Sequence, residues 1–130
     1  MENPLMKIVT LIARILLGVA FVFFGLNGIL QFLKGPLPAG LAGQFAGALM
    51  ESHYFILLGV LEAASGVLLL VNRYVPLALT VLGPIVVNIL LFHVFMSPTT
   101  IAPGLVVTLL WFIVFYRHRS AFAGIFQAKT

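Results

Sequence analysis

Four long apolar stretches separated by short polar breaks dominate the chain, at about Ile8 to Leu33, Tyr54 to Val71, Val75 to Met96 and Ile101 to Tyr116. A helix crossing the hydrocarbon core of a bilayer needs about 20 predominantly apolar residues. The first three stretches meet that length. The fourth is shorter, but Trp111, Phe112, Phe115 and Tyr116 near its end supply interfacial anchors for a short span. The pattern predicts an all-α fold, a transmembrane four-helix bundle filling a single domain over residues 1–130, with helices at about 8–33, 54–71, 75–96 and 101–116.

The longest connection, about 34–53, opens with Gly35, Pro36 and Pro38 and then places Leu37, Leu41, Phe45 and Leu49 at four-residue spacing. That period suits a short interfacial helix between helices 1 and 2, lying with its apolar side on the membrane. Gly40, Gly43 and Gly47 oppose a helix, since each glycine costs about 1 kcal/mol relative to alanine. A re-entrant or loosely ordered lid is the alternative.

Four spans put both termini on one side, together with the turn Asn72, Arg73 and Tyr74. Lys7, Arg14, Arg73, Arg117, Arg119 and Lys129 all fall on that side, and Lys34 alone on the other. The positive-inside rule then predicts both termini in the cytoplasm, in a bacterial-type inner membrane. The first stretch is expected to be retained rather than cleaved as a signal peptide, because it is long, contains Arg14 and is not promptly followed by a small-residue cleavage site.

Composition narrows the chemistry. Of the 130 residues 62% are hydrophobic and only 8% charged, so lipid rather than water is the expected solvent. No room remains for a soluble catalytic domain. There is no cysteine, which excludes disulfides, thiolate metal sites and dithiol relays. Redox work would need a borrowed cofactor, with a quinone as the candidate and none intrinsic. The formal charge of +4 sits beside apolar runs rather than in a basic stripe with exposed aromatics, so a nucleic-acid partner is not expected.

Polar residues inside apolar spans are costly and therefore candidates for function. They are Arg14, Asn27 and Gln31 in the first helix, Glu62 in the second, and Asn88 and His93 in the third. At about 1.5 Å rise per residue, Glu62 falls near the midplane, Asn88 slightly outward of it, Asn27, Gln31 and His93 in the outer half, and Arg14 in the inner half. Gly59, Glu62, Ala63 and Gly66 share one stripe, as do Arg14, Gly18, Phe21, Gly25 and Gly28; small residues mark close helix contact and turn Glu62 inward. Glu62 is either a proton-handling group or ligand anchor, or a structural partner for Arg14, Asn88 or Asn27. Arg14 either snorkels to cytoplasmic headgroups, pairs with Glu62 or contacts a ligand. Asn27, Gln31 and Asn88 read as interhelical hydrogen-bond glue or as ligand contacts. His93 reads as a hydrogen-bonding residue at the interface, with a proton relay or a quinone donor as the functional alternatives. Its spacing to His53 and Glu51 matches no metal-ligand pattern. Catalytic residues cannot be named, since no nucleophile–base pair, phosphate loop or carboxylate pair assembles.

Ala13, Arg14, Leu16 and Gly18 with the aromatic-rich Phe21 to Gly28, then Gly59, Leu61, Glu62 and Gly66, then Pro84, Asn88, Phe92 and His93, resemble the DoxX-like family of small four-helix membrane proteins. The resemblance covers most of the chain, from about Arg14 to Tyr116. Asn27 or Gly28 stands where the family has a lysine. It implies a four-helix membrane bundle and a distant link to the small subunit of thiosulfate:quinone oxidoreductases; the broader group also resembles proteins that aid assembly of partners.

The expected function is an accessory membrane subunit that binds a quinone or lipid among helices one to three, under the outer lid. Glu62 is the expected anchor, with Arg14, Asn27, Asn88 and His93 as supporting donors. The alternative is a non-enzymatic assembly or scaffold protein, whose glycine-rich faces are available for a protein partner or a homodimer. A transporter ranks last, because the inner half offers only Arg14 as a polar step.

Overall fold

Asn3 starts the first helix: its side chain accepts the N–H of Leu5 at 2.9 Å, and Pro4 follows at the first helical position, where a missing N–H costs nothing. The computed structural model describes residues 3–33 and 35–129, and Lys34 lies outside the described residues. Helix α1 runs Pro4–Leu30, α2 Gly40–Glu51, α3 Tyr54–Val71, α4 Val75–Met96 and α5 Ala102–Arg117, with short 3-10 turns at Pro98–Thr100 and Arg119–Phe122. All the regular structure among the described residues is helical.

Helix α1 ends three residues before the apolar run does. Gln31 turns left-handed (φ 51°), its N–H returns to the Asn27 carbonyl, and the Asn27 side chain accepts the N–H of Leu33 at 2.9 Å. Hydropathy continues through Phe32 and Leu33 and is blind to this exit. Helix α2 forms despite its glycines, because two of them seat the segment that precedes it. Pro38 backbone lies against Gly43, and Leu37 packs beside Gly47. The buried residues of α2 are Ala42 and Gly43, whereas Leu41 is exposed and Phe45, though exposed, reaches the ring of Phe92 on α4.

Helix α1 packs on α3 and α5, α4 packs on α3 and α5, and α2 lies against α3 and α4. The tightest seam is α1 against α3. A Cβ built on Gly25 would stand 2.5 Å from Ala63 N and 2.6 Å from Gly59 O, and one on Gly66 would stand 2.7 Å from Gly18 O. Gly18 facing Gly66 and Gly25 facing Gly59 shows that the two helices run antiparallel. Both pairs repeat at seven residues, two helical turns, which keeps the small residues in register along the seam. Without side chains between them the backbones touch, which is the usual device where helices gain nothing from excluding water. Gly83 serves the α4–α5 seam in a milder way: the Trp111 ring lies over it, and the indole N–H donates to the Leu79 carbonyl at 3.1 Å. Trp111 is thus an interhelical tie, not the interfacial anchor that its position near the end of the apolar run suggests.

Leu17 and Phe21 of α1, Leu69 of α3, Leu79 and Leu82 of α4 and Val114 of α5 form the fully buried core. Outside it stand Ile12, Leu16, Val19 and Phe23 of α1 and Leu77, Val87 and Leu91 of α4, all exposed. Contiguous apolar exposure of this kind is rare on monomers dissolved in water. Helices α1, α3 and α4 are each long and apolar enough to cross a membrane, and α5 is an apolar helix of 16 residues.

The seam yields a graded expectation. Gly25→Ala should lower stability in detergent by about 1–3 kcal/mol, the usual cost of overpacking. Gly28→Ala, whose Cβ would meet Phe55 O at 3.1 Å, should cost less, and Gly35→Ala, with nothing within 4 Å, should be neutral. Thermal unfolding of the three variants checks the order; equal midpoints for all would refute the backbone contact.

Candidate functional site

The polar residues singled out from the sequence do not converge on one another. Arg14, partly buried on α1, donates from Nη1 to the carbonyls of Leu69 and Leu70 in the last turn of α3, the second at 3.4 Å. Those carbonyls lack full helical partners, and a cation at a helix C-terminus is favoured by the dipole. Arg14 therefore caps α3 and does not pair with Glu62. Eight residues separate Glu62 from Leu70, about 12 Å along the helix axis. Glu62 itself is half-buried and carries no hydrogen bond or ion pair to any described residue.

Asn27 is occupied with the exit from α1, through Leu33 N–H. Asn88 donates from Nδ2 to the Pro84 carbonyl one turn back at 2.8 Å and is exposed. Two residues from buried Val86, it lies about 200° round the helix, on the opposite face. His93 is half-buried with Nδ1 2.8 Å from the Ile89 carbonyl, so Nδ1 carries the proton and Nε2 the lone pair in the neutral ring. Its ring meets Phe92 edge-on at 5.0 Å, and Phe92 packs on Phe45 of α2 at 5.5 Å. His93 also sits beside Gly104, so it belongs to the corner where α2, α4 and α5 meet. Gln31 is the left-handed residue after α1. Four of the five expected ligand contacts are thus hydrogen-bonded to main chain. No group of three His, Cys, Asp or Glu side chains able to hold a metal ion occurs among the described residues.

What the structure does assemble lies at the other end of the molecule. A cavity of about 480 Å³ opens where the start of α1, the α3–α4 turn and the end of α5 meet. Lys7, Thr10 and Arg14 line it from α1, Arg117 and His118 from the end of α5, and Ser120 from the turn beyond. None of its lining residues among the described residues is acidic. The wall beyond α5 is held in place by aromatic packing: Trp111 stacks on Phe115 (5.2 Å between ring centroids), and Phe122 packs on Phe115 at 5.0 Å. The basic residues that line it were visible in the sequence as a charge asymmetry, but their convergence with Thr10 carried no sequence signal.

No family model, curated protein or solved structure matches this chain.

Arg14 both lines the cavity and caps α3, and the cap has its own readout at the end of α3. Arg14→Gln should lower the unfolding midpoint by the equivalent of about 1–3 kcal/mol, the cost of losing charge-assisted hydrogen bonds, with the loss of amide-exchange protection concentrated in the last turn of α3. Arg14→Lys, with one ammonium in place of the planar fork, should recover part of it. Unchanged exchange in that turn would show that the carbonyls need no cap.

Proposed function

We propose that this chain is a four-span integral membrane protein, α1, α3, α4 and α5 forming a transmembrane bundle with both ends in the cytoplasm, and that it serves as a non-enzymatic assembly or scaffold component. The observation that carries this reading is the dispersal of its intramembrane polar groups, with Arg14, Asn27, Asn88 and His93 each hydrogen-bonded to main chain. Groups so engaged stiffen helices and their ends, whereas a catalytic site needs them turned toward a common point. The resemblance to the DoxX-like family supports the four-span topology and includes an assembly role among its expectations. Lys7, Arg14, Arg117 and His118 lining one cavity supports a common side for both chain ends. The excess of basic residues there supports the cytoplasmic assignment in a bacterial-type inner membrane.

One observation favours the second reading, an accessory subunit holding a quinone or lipid. Glu62 is half-buried at the middle of α3 without a hydrogen-bond or ion-pair partner among the described residues. A carboxyl in that position calls for a proton, a ligand donor or a polar group on another chain.

Native mass spectrometry of gently purified protein separates the two readings. A defined protein partner that survives Glu62→Gln and His93→Ala is the expected outcome for a scaffold. A stoichiometric quinone or lipid on a chain without partner, lost on Glu62→Gln, would overturn it in favour of the ligand-binding subunit. Topology is checked independently in this cysteine-free chain: single cysteines at Asn72 and Ser120 should react only from the cytoplasmic side, and one at Ser52 only from outside.

A further inference from the structure

Three chemically matched features meet in the cavity between the first and last helices. Lys7 and Arg14 approach it from α1 and Arg117 from the end of α5, and no acidic side chain among the described residues lines it. His118 adds a ring whose Nδ1 is engaged with the Val114 carbonyl at 3.1 Å. The like charges of Lys7 and Arg14 repel across the shared volume, and an anion within it relieves that repulsion.

Thr10 is the second and independent observation. Its side chain is only 6% exposed, it lines the cavity, and its hydroxyl has no hydrogen-bond partner among the described residues. A threonine within a helix ordinarily returns its hydroxyl to the carbonyl four residues back. Thr80 and Thr108 do so here, to Pro76 at 2.8 Å and Gly104 at 2.6 Å. Thr10 does not, and a buried hydroxyl without a partner is costly. A bound oxyanion would supply the missing acceptor.

We propose that this cavity binds a phosphate-bearing anion, the headgroup of an anionic phospholipid, with Lys7 neutralising the phosphate and the Thr10 hydroxyl donating to one of its oxygens. The lipid source is favoured because Leu11, which also lines the cavity, is 47% exposed and leads along α1 to exposed Ile15 one turn on. An acyl chain can follow that face while the headgroup occupies the basic end. The choice of a lipid rests on the membrane-spanning reading; the phosphate chemistry does not.

The test titrates delipidated full-length protein in mild detergent with phosphatidylglycerol or phosphatidylcholine and counts bound lipid by native mass spectrometry. Phosphatidylglycerol is expected to bind about tenfold more tightly than phosphatidylcholine. Lys7→Gln and Thr10→Val should each weaken it about three- to tenfold, the range for one hydrogen bond to a charged group. Lys7 is exposed, and valine matches threonine in shape, so both variants should fold. Thr10→Val should leave the lipid-free unfolding midpoint unchanged or higher, a result that a purely structural threonine would not give. Equal affinity for the two lipids, or variants that bind phosphatidylglycerol as the parent does, would overturn the site. Inorganic phosphate that stabilises the parent but not Lys7→Gln, with no preference between the lipids, would keep the anion and reject the lipid. Carbonate extraction of cell membranes tests the underlying reading separately: release of the protein defeats the membrane assignment, whereas retention without lipid preference defeats only the headgroup site.

Discussion

Backbone contact between α1 and α3 is the constraint from which the other positions follow. Gly18 against Gly66 and Gly25 against Gly59 allow no side chain between the helices, which fixes their separation, their antiparallel direction and their axial register together. In a bilayer, lipid tails solvate leucine as well as a neighbouring helix does, so close van der Waals contact must supply what water exclusion supplies elsewhere. Register along this seam brings the last turn of α3 beside Arg14 and the start of α3 beside Gly28. Helices α4 and α5 then complete the core around Leu17 and Phe21 with larger side chains.

Much of this was legible in the chain. The helices at Tyr54–Val71 and Val75–Met96 coincide with the apolar runs because Asn72, Arg73 and Tyr74 break hydropathy and helix at the same residues; Asn72 turns left-handed there at φ 57°, a conformation asparagine accepts more readily than most. The glycine spacing on α1 and α3 marked the face in contact. The end of α1 was not legible, since a side-chain bond from Asn27, not a change in polarity, shapes the exit. Helix α2 falls within the connection where an interfacial helix was expected, over Gly40–Glu51; that Gly43 would seat Pro38 was not legible, because no period in the sequence marks that contact.

The candidate site was least legible, for a physical reason. Depth along a helix follows from residue count, and the expectation that Glu62 and Asn88 lie at similar levels rests on that count alone. Facing depends on which stripe is buried, and Asn88 lies on the stripe opposite Val86. An arginine, an asparagine or a histidine within an apolar helix also has main-chain carbonyls close by, and local bonding competes with any bond across the bundle. Arg14, Asn88 and His93 all take that option, on a neighbouring helix in the first case and on their own in the other two. Glu62, which has no proton to donate when ionised, lacks it.

The basic cavity draws its walls from both extremes of the chain, Lys7 and Thr10 near the beginning and Ser120 near the end. During synthesis the first helix is in place while the residues that close the cavity have yet to leave the ribosome. Through that interval Lys7 and the Thr10 hydroxyl lack the neighbours that α5 and the turn beyond it bring. The cavity comes into being only when the final helix docks and Phe122 settles on Phe115. The cavity is therefore assembled late, and a product that stops before α5 lacks it even where α1, α3 and α4 have packed correctly.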